Sequence, residues 1–180
     1  MNEEQNLQEQ AKPALNIASV SKSAFVKTYV LTVSKTFPVT HKRKGERTFF
    51  QERIHEALWP VTEMPILGKK IHTIRSNYPL WKNRIGQIQK GEAILSIRYW
   101  GGKPYNSKQI EFCQLDKNSG VGIQKLDDPT NFVFAPVNGI PINWDEVAKN
   151  DGLSFDDFCE WFKIRKSDPM AIIHFTHYRY

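Results

Sequence analysis

Short runs of β-branched and aromatic residues, each closed off by glycine, proline or asparagine, recur along most of this chain. Tyr29-Val30-Leu31-Thr32-Val33 is the first and ends at Phe37-Pro38. Gly91 to Tyr99 is the clearest. Lys70 to Arg75, Lys108 to Leu115, Val121 to Leu126, Asn131 to Val137 and Met170 to Thr176 complete the set. Helical spacing is confined to a few places. Phe50, Ile54 and Leu58 mark a helix over Phe49 to Leu58. Asn143 is placed to cap a helix over Trp144 to Ala148. Ser154 is placed to cap another over Phe155 to Ile164, with Asp156 and Asp157 in its first turn and Phe158, Trp161 and Phe162 as its apolar face. Asn77-Tyr78-Pro79-Leu80-Trp81 reads as a turn. Many short strands and few helices predict an α+β fold: a small mixed or antiparallel β-barrel with peripheral helices, rather than a βαβ sheet. The strands around Tyr29, Ile71, Ile94, Ile110 and Ile172 are expected to pair into one barrel-like sheet.

Residues 1–22 are polar and lack periodicity, which predicts a mobile tail ahead of a domain over 23–180. The opening Met-Asn-Glu-Glu-Gln has no apolar run behind it, so no secretory leader is expected. Apolar stretches elsewhere are short and broken by charge, so no membrane span is expected either. Cys113 and Cys159 stand far apart without CxxC spacing, which points away from a disulfide framework and towards a reducing, cytoplasmic compartment. Both read as core residues rather than nucleophiles.

The formal net charge of +6 favours polyanionic partners. His41-Lys42-Arg43-Lys44 is the densest basic cluster, either a phosphate-contacting loop through Lys42 and Arg43 or an ordinary solvated one. Tyr78 and Trp81 follow Arg75, and Trp100 precedes Gly101-Gly102-Lys103. Aromatics beside basic residues suit base stacking, and packing is the alternative in each case. His72, His174 and His177 form no HxxxH or HExxH pattern, and no Walker A, GxGxxG or GxSxG pattern occurs. Neither a metal nor a cofactor is expected.

Gly68-Lys69-Lys70-Ile71-His72-Thr73-Ile74-Arg75 resembles the signature of the ASCH family, in which Gly-x-Lys leads into a Thr-x-Arg strand. Lys90-Gly91-Glu92 resembles the family's turn before a strand, and Asp151-Gly152-Leu153-Ser154 its approach to the C-terminal helix. Ala171 to Phe175 resembles its closing strand. These anchors span about residues 28–180, with loops 38–66 and 116–142 outside them. The resemblance implies a PUA-like barrel, a fold that binds RNA. Some compact bacterial members of the family remove the acetyl group from acetylated cytidine with a Lys, a Thr and a Glu. By position these become Lys70, Thr73 and Asp151, the last one methylene shorter than its counterpart.

The residues can be argued on their own chemistry. Amide hydrolysis needs a nucleophile, a base and a proton donor for the leaving amine. Thr73 could attack, a buried Lys70 of lowered pKa could take its proton, and Asp151 could orient it. Lys70 and Thr73 lie on opposite faces of a flat strand and converge only if the strand starts after Lys70 or bulges. The plain alternative makes Lys70 a solvated strand edge, Thr73 a filler and Asp151 a turn residue. Arg75 could grip a phosphate or carboxylate, or form a structural salt bridge with a residue such as Glu92. Three functions follow: a binder of RNA or a modified nucleoside around Lys70, Thr73, Arg75 and Asp151; an amidohydrolase acting on an acylated nucleoside; and a protein-interaction domain with a vestigial cleft. Oligomeric state is left open.

Overall fold

The alternating runs become two small sheets in the computed structural model, which describes residues 26–60, 67–127, 135–162 and 169–180. β1 (Lys27–Thr32), β3 (Ala93–Trp100) and β4 (Gln109–Leu115) form the first, in the order β1-β3-β4. β2 (His72–Arg75), β6 (Met170–His174) and β5 (Gly122–Leu126) form the second, in the order β2-β6-β5. β1 runs parallel to β3, with Lys27 opposite Ala93 and Thr32 opposite Arg98. β3 and β4 are antiparallel, with a register shift between Ile97 and Arg98. In the second sheet every pairing is antiparallel, and His174 lies opposite both His72 and Gly122.

The single barrel-like sheet expected from the sequence is not what forms. The six strands divide three and three, and no closed barrel is found among the described residues. β1 takes β3 as a parallel partner, and the short β2 pairs with β6 instead.

The stretch read as a turn after Arg75 is in fact the start of the longest helix described, α2 (Tyr78–Gln89). Asn77, at φ 64°, caps it by accepting from the Leu80 amide. Pro79 is tolerated in the first turn, where backbone amides have no helical acceptor. Trp81, Ile85 and Ile88 make the buried face. Through that face α2 touches β3 of one sheet and β5 and β6 of the other, so one helix joins both sheets to one core.

The remaining helices are α1 (Phe50–Leu58), α3 (Trp144–Asn150) and α4 (Phe155–Trp161). Asn143 and Ser154 cap α3 and α4 through side-chain oxygens, as the sequence predicts. The N-terminal tail, residues 131–134 of the strand expected at Asn131 to Val137, and Ile164 lie outside the described residues. No helix among the described residues is long and apolar enough to cross a membrane.

Candidate functional site

Lys70 precedes β2 by two residues, which removes the face conflict with Thr73: the strand starts after the lysine. The segment is held from both sides. The Lys70 amide donates to the carbonyl of Arg53 in α1, and the Ile71 amide to that of Asn150 at the end of α3. Gly152 has φ 78°, and a Cβ there would lie 3.3 Å from the Cβ of Lys70. A residue without a side chain therefore lets the α3–α4 turn close onto the lysine.

That closure brings Lys70 and Asp151 together. The ammonium donates to Asp151 Oδ1 at 2.7 Å and to the Asp151 carbonyl at 2.7 Å. It also lies 4.1 Å from the centre of the Phe50 ring. Lys70 is 1% exposed and Asp151 3%. Burial pushes the lysine down to about 8 against the opposing pull of Asp151. Burial raises the Asp151 carboxyl, with Lys70 acting the other way.

Behind the pair stands a buried histidine. Asn150 Nδ2 donates to the Tyr180 hydroxyl at 3.0 Å, and that hydroxyl lies 2.8 Å from His72 Nε2. Tyr180 thereby links Asn150 to the buried imidazole. Nδ1 faces Asp151 Oδ1 at 3.6 Å. Burial and the nearby His174 and Lys70 hold His72 well below the usual histidine range, so the ring is neutral.

Lys70, Thr73, Arg75 and Asp151 share the polar side of a cavity of about 220 Å³. Phe50, Trp161 and Phe162 contribute its aromatic side. Thr73 is buried, and its hydroxyl accepts from Arg75 Nη1 at 2.9 Å, leaving its own proton free to donate. Arg75 is more committed than a free anion clamp. It also donates to the Ile74 carbonyl and, through Nη2, to the Thr32 carbonyl at the end of β1. It ties one sheet to the other, and the salt bridge considered with Glu92 does not form.

A wider hollow of about 580 Å³ adjoins this cavity across Thr32, Val33 and Ser34. Its far side is the β3–β4 hairpin, where the Trp100 and Tyr105 rings lie 5.3 Å apart. Tyr105 is 87% exposed. Lys103 is exposed on the same hairpin.

Other expected ligand residues are placed elsewhere. Trp81 is 7% exposed in the core because it sits on the inner face of α2, so it is no stacking platform. Tyr78, half-buried at the start of α2, packs against the same core. The basic loop is not free for phosphate either. Arg43 pairs with Glu46 and Asp157, and Lys42 approaches Asp157 and Glu160. Lys42 and Arg43 are thus occupied by carboxylates of α4 and by Glu46. Sequence reasoning missed Phe50 and the aromatic edge of α4 as cavity walls, because an apolar helical face looks the same whether it meets core or cavity. It also missed Tyr105, His72 and Tyr180. Among the described residues no group of three His, Cys, Asp or Glu is placed to hold a metal ion.

No family model, curated protein or solved structure matches this chain.

Proposed function

We propose that the Lys70–Asp151 cavity binds a modified nucleoside, free or as a base turned out of an RNA strand. One observation carries this reading: a buried ammonium–carboxylate pair lines, with a hydroxyl and a guanidinium, an aromatic-sided cavity of about 220 Å³. The polar side supplies donors from Lys70 and Arg75 and an acceptor from Asp151, which is what a carbonyl and an exocyclic amine on a base edge require. The aromatic side supplies surface for the base plane. The resemblance to the ASCH signature supports the same class of ligand, and with it a PUA-like barrel as the parent of the two-sheet arrangement.

The test is a panel of modified nucleosides and short oligoribonucleotides titrated calorimetrically, with Lys70→Ala alongside. At least one member should bind saturably, and Lys70→Ala should weaken it by tenfold or more. RNA binding should also fall steeply over a few-fold rise in salt. A panel without a binder at low salt rejects the reading.

A second reading, hydrolysis of an acylated nucleoside, is favoured by the lysine pushed down to about 8 with a donor-capable Thr73 on the same wall. The neutral amine would take the Thr73 proton as the oxygen attacks the acyl carbon, the nucleoside amine would leave with that proton, and water would free the ester. Mass spectrometry of N-acetylated nucleosides incubated with the protein reads this directly. Deacylated product that vanishes in both Lys70→Ala and Thr73→Val supports it; intact substrate with tight binding leaves the binder.

A further inference from the structure

A second cavity, of about 350 Å³, lies between α1 and the α3–α4 turn, beside the Lys70 site. Both adjoin a third hollow around the start of α1. A small hollow shares Val33, Ser34 and Phe50 with the first cavity and Arg47, Thr48 and Phe49 with the second. Gly152, which follows Asp151, lines the second cavity.

The second cavity holds an arginine with no counter-ion among the described residues. Arg53 is partly buried, its Nε has no hydrogen-bond partner among the described residues, and the charges acting with it are those of other cations, Arg43 and Lys70. The neighbouring arginines differ: Arg43 is engaged by Glu46 and Asp157, and Arg47 by Glu52. Arginine keeps its proton when partly buried, so the site stays cationic, and Nε has a donor to offer. The side chain is also held in place. Gly68 and Gly152 both have positive φ, and side chains on them would lie 3.5 Å from Arg53 Nη1 and 3.1 Å from its Cδ. Two glycine turns thus fold over this arginine. Lys149, exposed in the last turn of α3, lines the same cavity, and so does Ser154. Asp157 also lines it, but that carboxylate is already matched by Lys42 and Arg43.

We propose that this cavity is a phosphate site and that Arg53, supported by Lys149, grips the phosphate group of a nucleotide whose base enters the Lys70 cavity. The forked guanidinium presents paired donors suited to phosphate oxygens. The site itself rests on the Arg53 geometry; what the phosphate is attached to rests on the nucleoside reading.

Two titrations test it. Inorganic phosphate is added to the wild-type protein, Arg53→Gln and Lys149→Gln, with binding read by ³¹P NMR and folding by circular dichroism. Saturable binding that each substitution weakens at least fivefold supports the site. No saturable binding, or binding indifferent to both substitutions, overturns it; Lys149→Gln, an exposed change, keeps the test open should Arg53→Gln misfold. Next, a nucleoside that binds is compared with its 5′- and 3′-monophosphates. One of them should bind about tenfold tighter, with the gain lost in Arg53→Gln. Equal binding of all three overturns the link. An equal gain from a dinucleoside phosphate supports the site within an RNA strand, and a gain confined to the monophosphates supports it for a free nucleotide. Phosphate binding at Arg53 in a protein that takes up no nucleoside rejects the base pocket and leaves the phosphate site standing.

Discussion

Lys70 and Asp151 are both almost wholly buried and shield each other's charge, so each is worth most while the other is present. Removing one partner of such a pair typically costs about 3–5 kcal/mol, whereas replacing both with apolar groups is nearly neutral. Lys70→Met should therefore lose about 3 kcal/mol in urea denaturation, and Lys70→Met with Asp151→Leu should regain more than half. His174 offers a second measurement. His174 is 0% exposed, neither ring nitrogen has a hydrogen-bond partner among the described residues, and burial, with Arg179 acting the same way, holds it down to about 3. The unfolded chain takes up the proton near 6.5 and the folded one does not, so stability is full above that pH and falls as pH drops from about 6.5 towards 3. His72 acts in the same direction, and the raised Asp151 offsets part of the loss at the acid end. His174→Leu should flatten this acid limb and stabilise the protein at pH 5 by about 1 kcal/mol or more. An unchanged slope would assign the acid sensitivity elsewhere. That Lys70, Thr73 and Asp151 would line one cavity was legible from a resemblance to a short signature. The histidine behind them was not, since its role depends on Tyr180, which is remote in sequence.

Elements with a plain period or a plain cap were readable. α3 and α4 begin where Asn143 and Ser154 predict, because a cap oxygen and two acidic residues mark a helix start within four positions. α2 was not read, although Trp81, Ile85 and Ile88 recur at helical spacing. The Asn-Tyr-Pro cluster carries turn chemistry, and here that chemistry serves as a cap. Its residue at φ 64° gives a direct check. Asn77→Ala removes both the bond to the Leu80 amide and the residue type that tolerates this backbone, and should cost about 1–2 kcal/mol. Asn77→Gly loses the bond but keeps the conformation, so its thermal midpoint should fall between wild type and alanine. A midpoint below that of alanine would deny the backbone a part in the cap. Missing α2 also turned Trp81 from a core anchor into an imagined ligand, so one misread helix displaced a site residue.

The whole molecule depends on connections between sheets that local patterns do not carry. Strand runs could be read one by one, but their partners could not: period two tells which residues share a face, not which strand lies alongside. The barrel expected from the runs gives way to two sheets united by the inner face of α2 and by the Arg75 guanidinium reaching the Thr32 carbonyl. The parallel pairing of β1 with β3 has a kinetic consequence. Lys27 must meet Ala93, while β3 meets β4 across a short hairpin. Closing the longer loop is favourable only after α2 and the hairpin have formed a surface to receive the strand. During synthesis β1 emerges from the ribosome long before its partner exists, and it waits as an unpaired apolar strand. Aggregation should be favoured in that interval, and pulse-labelled hydrogen exchange during refolding should find the amides of β1 protected after those of the β3–β4 hairpin, with β2, whose partner β6 lies farther along the chain, later still.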